Sequence, residues 1–141
     1  MIYARINLEL TNYTNQLNWA YVNGVETHKL KSIYYTYCRY KKFSSVMPMF
    51  DSEFFDHKND LIGYFDNDQL VAWSLMRRYD NENVEAVQFA WNYENPKLRL
   101  GIASLKNECW LYKDRGFKYL YLGGADEYKQ QIDGFEILGP A

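Results

Sequence analysis

Few residues that impose a special architecture occur in this sequence. Its 141 residues include two cysteines, three prolines and eight glycines, and the formal net charge is only −2. Isolated cysteines exclude a disulfide framework. Cys38 and Cys109 also lack metal-ligand spacing with His28 or His57, which favours buried free thiols in a reducing, cytoplasmic setting and predicts no metal site. Because the overall charge is nearly balanced, it does not require a polyanion as partner.

Long apolar runs are missing as well. No stretch of 18 apolar residues occurs, and the first residues contain no apolar core flanked by basic residues and a cleavage site. We therefore expect a soluble protein without a membrane partner. The length favours one domain over residues 1–141, because a chain of this size buries a core of its own but is short for two domains.

Aromatic residues, in contrast, make up 18% of the chain and include 14 tyrosines. A buried phenol needs a hydrogen-bond partner, so we expect many tyrosines to line pockets or to lie half-exposed. Several recur at helical spacing in residues 27–43, where an amphipathic helix is predicted to begin near Thr27. Residues 2–8 alternate between apolar and polar side chains and predict a strand.

Three further strands are predicted over residues 61–65, 70–77 and 84–91. Polar turns over residues 66–68 and 80–83 separate them. Strands joined by such short polar turns pair with their neighbours in the chain, so the three form an antiparallel meander.

A second helix is predicted over residues 101–115, with Gly116 ending it. Residues 117–122 are almost continuously apolar, as in a central parallel strand that is covered on both faces and reached through a crossover helix. A short helix over residues 126–132 and a strand over residues 134–138 complete the pattern. The fold class is thus α/β (α+β), with a mixed, mostly antiparallel sheet flanked by helices.

The order of meander, loop, helix, strand, short helix and Gly-Phe resembles the GNAT (Gcn5-related N-acetyltransferase) superfamily. In that family a loop of the form Gln/Arg-x-x-Gly-x-Gly/Ala precedes the central helix and holds the pyrophosphate of an acyl-CoA. Gly101 and Ala103 match its last two positions, whereas Leu98 stands where Gln or Arg is expected. The resemblance implies a GNAT-like (acyl-CoA N-acyltransferase) fold over residues 61–141, with residues 1–60 as a variable acceptor-side region.

The loop before this helix also suits a phosphate on physical grounds. The amino terminus of a helix exposes unpaired N–H groups and carries partial positive charge, and small residues allow a phosphate to approach closely. Lys97 and Arg99 add positive charge at the same end, whereas Leu98 removes a side-chain donor. We therefore predict acyl-CoA, with acetyl-CoA first, as the co-substrate.

The resemblance also implies where the reaction occurs. The strand before the loop offers its backbone to the pantetheine arm, which places Phe89, Ala90 and Trp91 beside the thioester. Glu85 and Gln88 lie on the same edge as candidates to orient or deprotonate an amine or peptide acceptor. An ordinary solvent-facing position is the alternative for both residues.

Tyr128 is the main catalytic candidate. The family often has a tyrosine in the short helix after the second splayed strand, where the phenol protonates a leaving thiolate. The spacing departs from that pattern, because Tyr128 lies six residues before Gly134-Phe135, where four is more usual. Simple packing is the alternative role.

Two other functions stay open. Tyr128-Lys129 resembles a pair in the acyltransferase domains of aminoacyl-tRNA-protein transferases, whose donor is an aminoacyl-tRNA. The basic, tyrosine-rich helix over residues 27–43 suits RNA contact, although a core-packed helix with a solvated basic face accounts for most of its tyrosines. The other alternative is a degenerate, non-catalytic GNAT-like module, favoured by Leu98 and by the short chain left for a last strand. A homodimer would then supply that edge.

Overall fold

A computed structural model of the chain describes residues 2–15, 17–22, 27–42, 51–92, 99–122 and 127–140. Within these residues, seven strands form one sheet: β1 (Ile2–Asn7), β2 (Trp19–Tyr21), β3 (Asn59–Asp66), β4 (Gln69–Arg78), β5 (Asn83–Trp91), β6 (Tyr119–Leu122) and β7 (Phe135–Pro140). The helices are α1 (Thr27–Lys41), α2 (Asp51–Phe55) and α3 (Leu100–Asp114), with 3₁₀ helices at Leu8–Leu10 and Glu127–Gln131.

The strands lie in the order β2-β3-β4-β5-β6-β1-β7. β5 and β6 run parallel, and the other neighbouring pairs are antiparallel. The mixed, mostly antiparallel sheet flanked by helices is therefore confirmed. At the turn between β3 and β4, Asn67 and Asp68 have φ of 51° and 63°, the left-handed pair that a tight two-residue hairpin requires.

Hydrophobic side chains are buried on both faces of the sheet. On one face α3 packs over the sheet, and the core there includes Ile62, Val84 and Leu120. On the other face α1 packs over β3, β4 and β5. Trp73 is fully buried there and donates from Nε1 to the main-chain oxygen of Leu30 at 2.9 Å. The two helices thus hold the sheet from opposite sides.

The interpretation of residues 117–122 is only half right. β6 is the parallel neighbour of β5 and is reached through α3. However, only Leu120 and Leu122 are buried, whereas Tyr119 and Tyr121 are partly exposed. The expectation that both faces of this strand are covered is wrong, because α1 packs over β3, β4 and β5 instead of β6.

The first strand takes a position that its sequence does not reveal. β1 lies between β6 and β7 and is antiparallel to both. Gly134 is where the chain approaches this strand closely. Its φ is 78°, and a Cβ there would collide with the main-chain oxygen of Asn7.

None of the described helices is long and apolar enough to cross a membrane.

Candidate active site

β5 and β6 separate part-way along their length. Their parallel pairing extends from Asn83 and Tyr119 to Ala86 and Leu122. β5 then continues to Trp91, paired there with β4, while β6 ends. Beyond Ala86, the described structure therefore has an opening along the edge of β5 that faces away from β4. We refer to this opening as the fork.

A β-bulge lies at the fork. Val87 is the extra residue, since its neighbours Ala86 and Gln88 pair with consecutive residues of β4. Strict alternation would place Glu85 and Gln88 on opposite faces of the sheet. Because of the bulge, both lie on the α1 face, so the two residues that we predicted as candidates for amine activation share a face of β5.

Main-chain groups of β5 are directed into the fork. Asn92 N donates to Val71 O at 2.7 Å, so these two opposed residues are a hydrogen-bonded pair of the ladder between β4 and β5. Hydrogen-bonded and non-hydrogen-bonded pairs alternate in such a ladder, so the N–H and C=O groups of Phe89 and Trp91 point away from β4. Gln88 Nε2 donates to the Phe89 oxygen at 2.9 Å.

The three residues that we predicted beside the thioester differ in their surroundings. Ala90 is fully buried on the α1 face. Phe89 and Trp91 lie at the end of β5 and contact α1, where the ring of Tyr37 has its centroid 6.2 Å from Phe89 and 5.1 Å from Trp91. The ring centroid of Tyr40 lies 5.1 Å from that of Trp91. The four rings form one aromatic cluster at the end of β5.

The first turn of α3 contains both small residues of the predicted phosphate loop. Gly101 and Ala103 lie there and are partly exposed. Arg99 is the N-cap residue, with φ of 48° and ψ of 50° and no side-chain cap, so its charge lies at the positive end of the helix dipole. Lys97 and Leu98 lie outside the described residues.

The two predicted catalytic residues are described unequally. Glu85 lies opposite Tyr121 of β6, one row before the pairing ends at the fork. Its Oε1 accepts a hydrogen bond from the Tyr79 hydroxyl, and this bond raises the pKa of Tyr79. Tyr128 belongs to the 3₁₀ helix Glu127–Gln131, but its side chain lies outside the described part of the chain.

A buried acid beneath α3 escaped the sequence analysis. Glu108 accepts hydrogen bonds from the Tyr64 hydroxyl and from Ser74 Oγ, the latter at 2.8 Å. The Tyr64 hydroxyl also lies 3.2 Å from the main-chain oxygen of Ser104. Burial raises the pKa of Glu108 to about 7. These bonds tie the middle of α3 to β3 and β4. The feature of the sequence that could have indicated this buried acid is a glutamate directly beside the apolar stripe of the predicted second helix.

Among the described residues, the histidines and cysteines form no reactive cluster at the fork. Within the described ranges, no three His, Cys, Asp or Glu side chains are grouped to hold a metal ion. The side chain of His57 is 90% exposed. Cys38 and Cys109 are free and buried, and burial raises the pKa of the Cys109 thiol, which disfavours its reactive thiolate form.

Neither a protein-family model nor a curated protein sequence matches this chain. Solved structures do match. The C-terminal domain of a lysylphosphatidylglycerol synthetase from Agrobacterium fabrum has a TM-score of 0.65 at 10% identity, over 88% of this chain and 46% of that chain. An aminoglycoside acetyltransferase from an uncultured soil metagenomic sample has a TM-score of 0.59 at 9% identity, and the match covers 81% of this chain and 80% of that chain. A GCN5-related N-acetyltransferase from Kribbella flavida has a TM-score of 0.58 at 11% identity, and the match covers 98% of this chain and 54% of that chain.

At these identities the likeness is one of fold. The resemblance to the GNAT superfamily is confirmed at that level, and the sheet and its helices match those of GNAT acetyltransferases. The chain spans about half the length of the Agrobacterium fabrum structure.

Proposed function

We propose that this chain is an N-acyltransferase that transfers an acyl group from acyl-CoA, with acetyl-CoA first, to an amine. The fork between β5 and β6 carries the proposal, because it presents main-chain groups of Phe89 to an extended ligand. An acyl-CoA has amide groups in its pantetheine arm and phosphates at its far end. The amides suit the open edge of β5, and the phosphates suit Arg99 and the first turn of α3. Acetyltransferases of the same fold support this donor class.

The reaction needs a proton acceptor and a proton donor. Glu85 takes the first role, directly or through water, and Tyr128 the second. The acceptor ammonium loses one proton before it attacks. The nitrogen–carbon bond then forms as the carbon–sulfur bond breaks, and the departing thiolate takes up a proton from Tyr128, which the second nitrogen proton replaces. The products are an amide, the CoA thiol and one released proton.

Calorimetry with acetyl-CoA and longer acyl-CoAs tests the donor. Arg99→Glu places a carboxylate at the amino end of α3, and we expect it to weaken binding about tenfold. Lys118→Glu is the matched control, since it makes the same charge change at an exposed side chain paired with Glu82. If no acyl-CoA gives heat with a well-folded sample, the CoA proposal fails.

An aminoacyl-tRNA donor is the second candidate, and exposed side chains of α1 favour it. Tyr35 and Tyr40 are 45% and 49% exposed, and Arg39 and Lys41 are exposed on the same helix. Exposed tyrosines between cations suit base stacking with phosphate contact. The test is a gel shift with charged tRNA, which should weaken with salt and disappear when Lys41 and Lys42 are changed to Gln. No shift at low salt would argue strongly against this donor.

We also propose that residues 1–141 act as one unit. β1 and β2 come from residues 1–60, yet both are strands of the same sheet as β3 to β7. The homodimer and the cytoplasmic setting stay predictions. Light scattering on the purified chain tests the dimer.

A further inference from the structure

The sheet face opposite α3 carries a row of polar side chains across five neighbouring strands. Cα pairing links Arg77 to Glu85, then Glu85 to Tyr121. It continues from Tyr121 to Arg5 and from Arg5 to Glu136. Directly opposed residues of paired strands point to the same face. The row therefore runs from β4 across β5, β6 and β1 to β7, with its charges alternating in sign on both sides of Tyr121.

The outer part of this face is open in the described structure. α1 covers the same face only over β3, β4 and β5. On β1 and β7, Tyr3 is 44% exposed, and the side chains of Arg5 and Glu136 are 27% and 37% exposed. A surface of this composition is a floor for a polar ligand, because its charges stay accessible while the strands beneath are held by the core on the other face.

Arg5 is held in a fixed position on this floor. Its Nε lies 2.8 Å from Glu136 Oε2, and its guanidinium carbon lies 4.0 Å from the centre of the Tyr119 ring. A weaker contact of 3.5 Å joins Nη1 to the Tyr121 hydroxyl. Among the described contacts, the other N–H donors of Arg5 are not used. The hydrogen bond with Glu136 raises the pKa of Arg5, so its charge is constant. A fixed guanidinium with spare donors suits a carboxylate.

Glu85 occupies the other end of this arrangement, next to the fork. Glu85 and Arg5 lie on the two strands that flank Tyr121, so their Cα atoms are about 10 Å apart at the usual spacing of strands. Arg5 is bonded to Glu136 and Glu85 to Tyr79, so their opposite charges lie on the two sides of Tyr121. An amine suits the carboxylate of Glu85 and a carboxylate suits the guanidinium of Arg5, and an amino acid carries both groups.

We propose that this floor binds an acceptor of amino-acid type, with its amine beside Glu85, its carboxylate on Arg5 and its body over Tyr121. The inference rests on the proposed function, because Glu85 is placed next to the acyl group only if the fork holds the donor. It adds the substrate class: a small molecule that carries a free carboxylate as well as the amine that is acylated.

The experiment compares amino acids with their amides, which keep the amine and lose the carboxylate. Acyl transfer from acetyl-CoA is measured for pools of the common amino acids and for the matching amides. We expect the KM of the acids to be at least about tenfold lower than the KM of the amides, because only the acids gain a charge-assisted hydrogen bond to Arg5. Arg5→Gln should raise the KM of the acids about tenfold and leave the KM of the amides unchanged.

Lys118→Gln is the matched control, because it also removes one positive charge, at an exposed side chain that lies outside the row and pairs with Glu82. It should change neither KM. Equal KM values for acids and amides in the wild-type chain would overturn the proposal, and so would an equal rise for both in Arg5→Gln.

A binding measurement without donor separates this proposal from the proposed function. Saturation-transfer NMR with the amino-acid pools reports binding to the floor, and the acyl-CoA titration reports the fork. Amino-acid binding that Arg5→Gln abolishes, with no acyl-CoA binding, supports the floor and refutes the acyltransferase. Acyl-CoA binding without amino-acid binding refutes the floor alone.

Discussion

The two faces of β6 and β1 differ in what covers them, although the same strands form both. On the α3 face, Ile6 and Leu120 are fully buried. On the opposite face, Tyr121 is partly exposed and the side chain of Arg5 is 27% exposed. Because side chains alternate along a strand, one set of residues holds the sheet together while the next set stays partly exposed. We therefore expect mutations on the two faces to separate stability from activity.

The largest effect should come from neighbouring residues of β6. Leu120→Ala removes a fully buried side chain and should lower the free energy of unfolding by about 3 kcal/mol. Tyr121→Ala, on the open face, should lower it by about 1 kcal/mol or less but raise the KM of the acceptor. Urea denaturation and steady-state kinetics measure the two quantities. Equal losses of stability would show that both faces of β6 are structural.

The buried acid on the α3 face should make stability depend on pH. The Glu108 carboxyl ionises near 4.5 in the unfolded chain but keeps its proton to about 7 in the folded one. Its contribution is thus complete below pH 4.5 and is lost as pH rises toward 7, a decrease of about 2–3 kcal/mol.

Glu108→Gln serves as the comparison for this pH effect, because the amide keeps the shape and cannot ionise. Its stability should vary less over pH 4.5–7 in denaturation experiments. An unchanged pH profile in this variant would mean that Glu108 does not titrate as we infer.

The smallest effect concerns backbone strain at the start of α3. Arg99 has a φ of 48°, a conformation that glycine adopts more easily, so Arg99→Gly should stabilise the chain by about 0.5–1 kcal/mol. The same variant should weaken acetyl-CoA binding a few-fold, because a charge near the phosphates is lost. Thermal unfolding with and without acetyl-CoA measures both effects.

Arg39→Gly is the control for this change, since Arg39 lies inside α1 and is exposed. There glycine should destabilise the chain by about 1 kcal/mol. A loss of stability for Arg99→Gly as well would rule out strain at Arg99.

Local periodicity predicted much of the fold. The spacing of apolar residues and the polar turns identified α1, α3 and the strands β3 to β5, because these elements are long enough for the pattern to repeat. β2 was missed, since three residues from Trp19 to Tyr21 show no period. The position of β1 beside β6 was missed too, because it depends on contacts between residues more than 100 positions apart.

The candidate site could be predicted only in part. The phosphate loop suggested Gly101 and Ala103, and the structure places both in the first turn of α3. The bulge at Val87 has no sequence signal that we recognise, yet it determines that Glu85 and Gln88 share a face. The charged row through Arg5 was also beyond prediction, because it depends on the register of five strands.

The central claim is that the fork and the first turn of α3 bind an acyl-CoA. The most direct measurement is a ¹⁵N NMR titration of the chain with acetyl-CoA. We expect the amide signals of Phe89 and Gly101 to shift together with one dissociation constant, while those of Ile62 and Leu75, inside the sheet, stay in place. No shift at Phe89 and Gly101, or shifts confined to α1, would contradict the account.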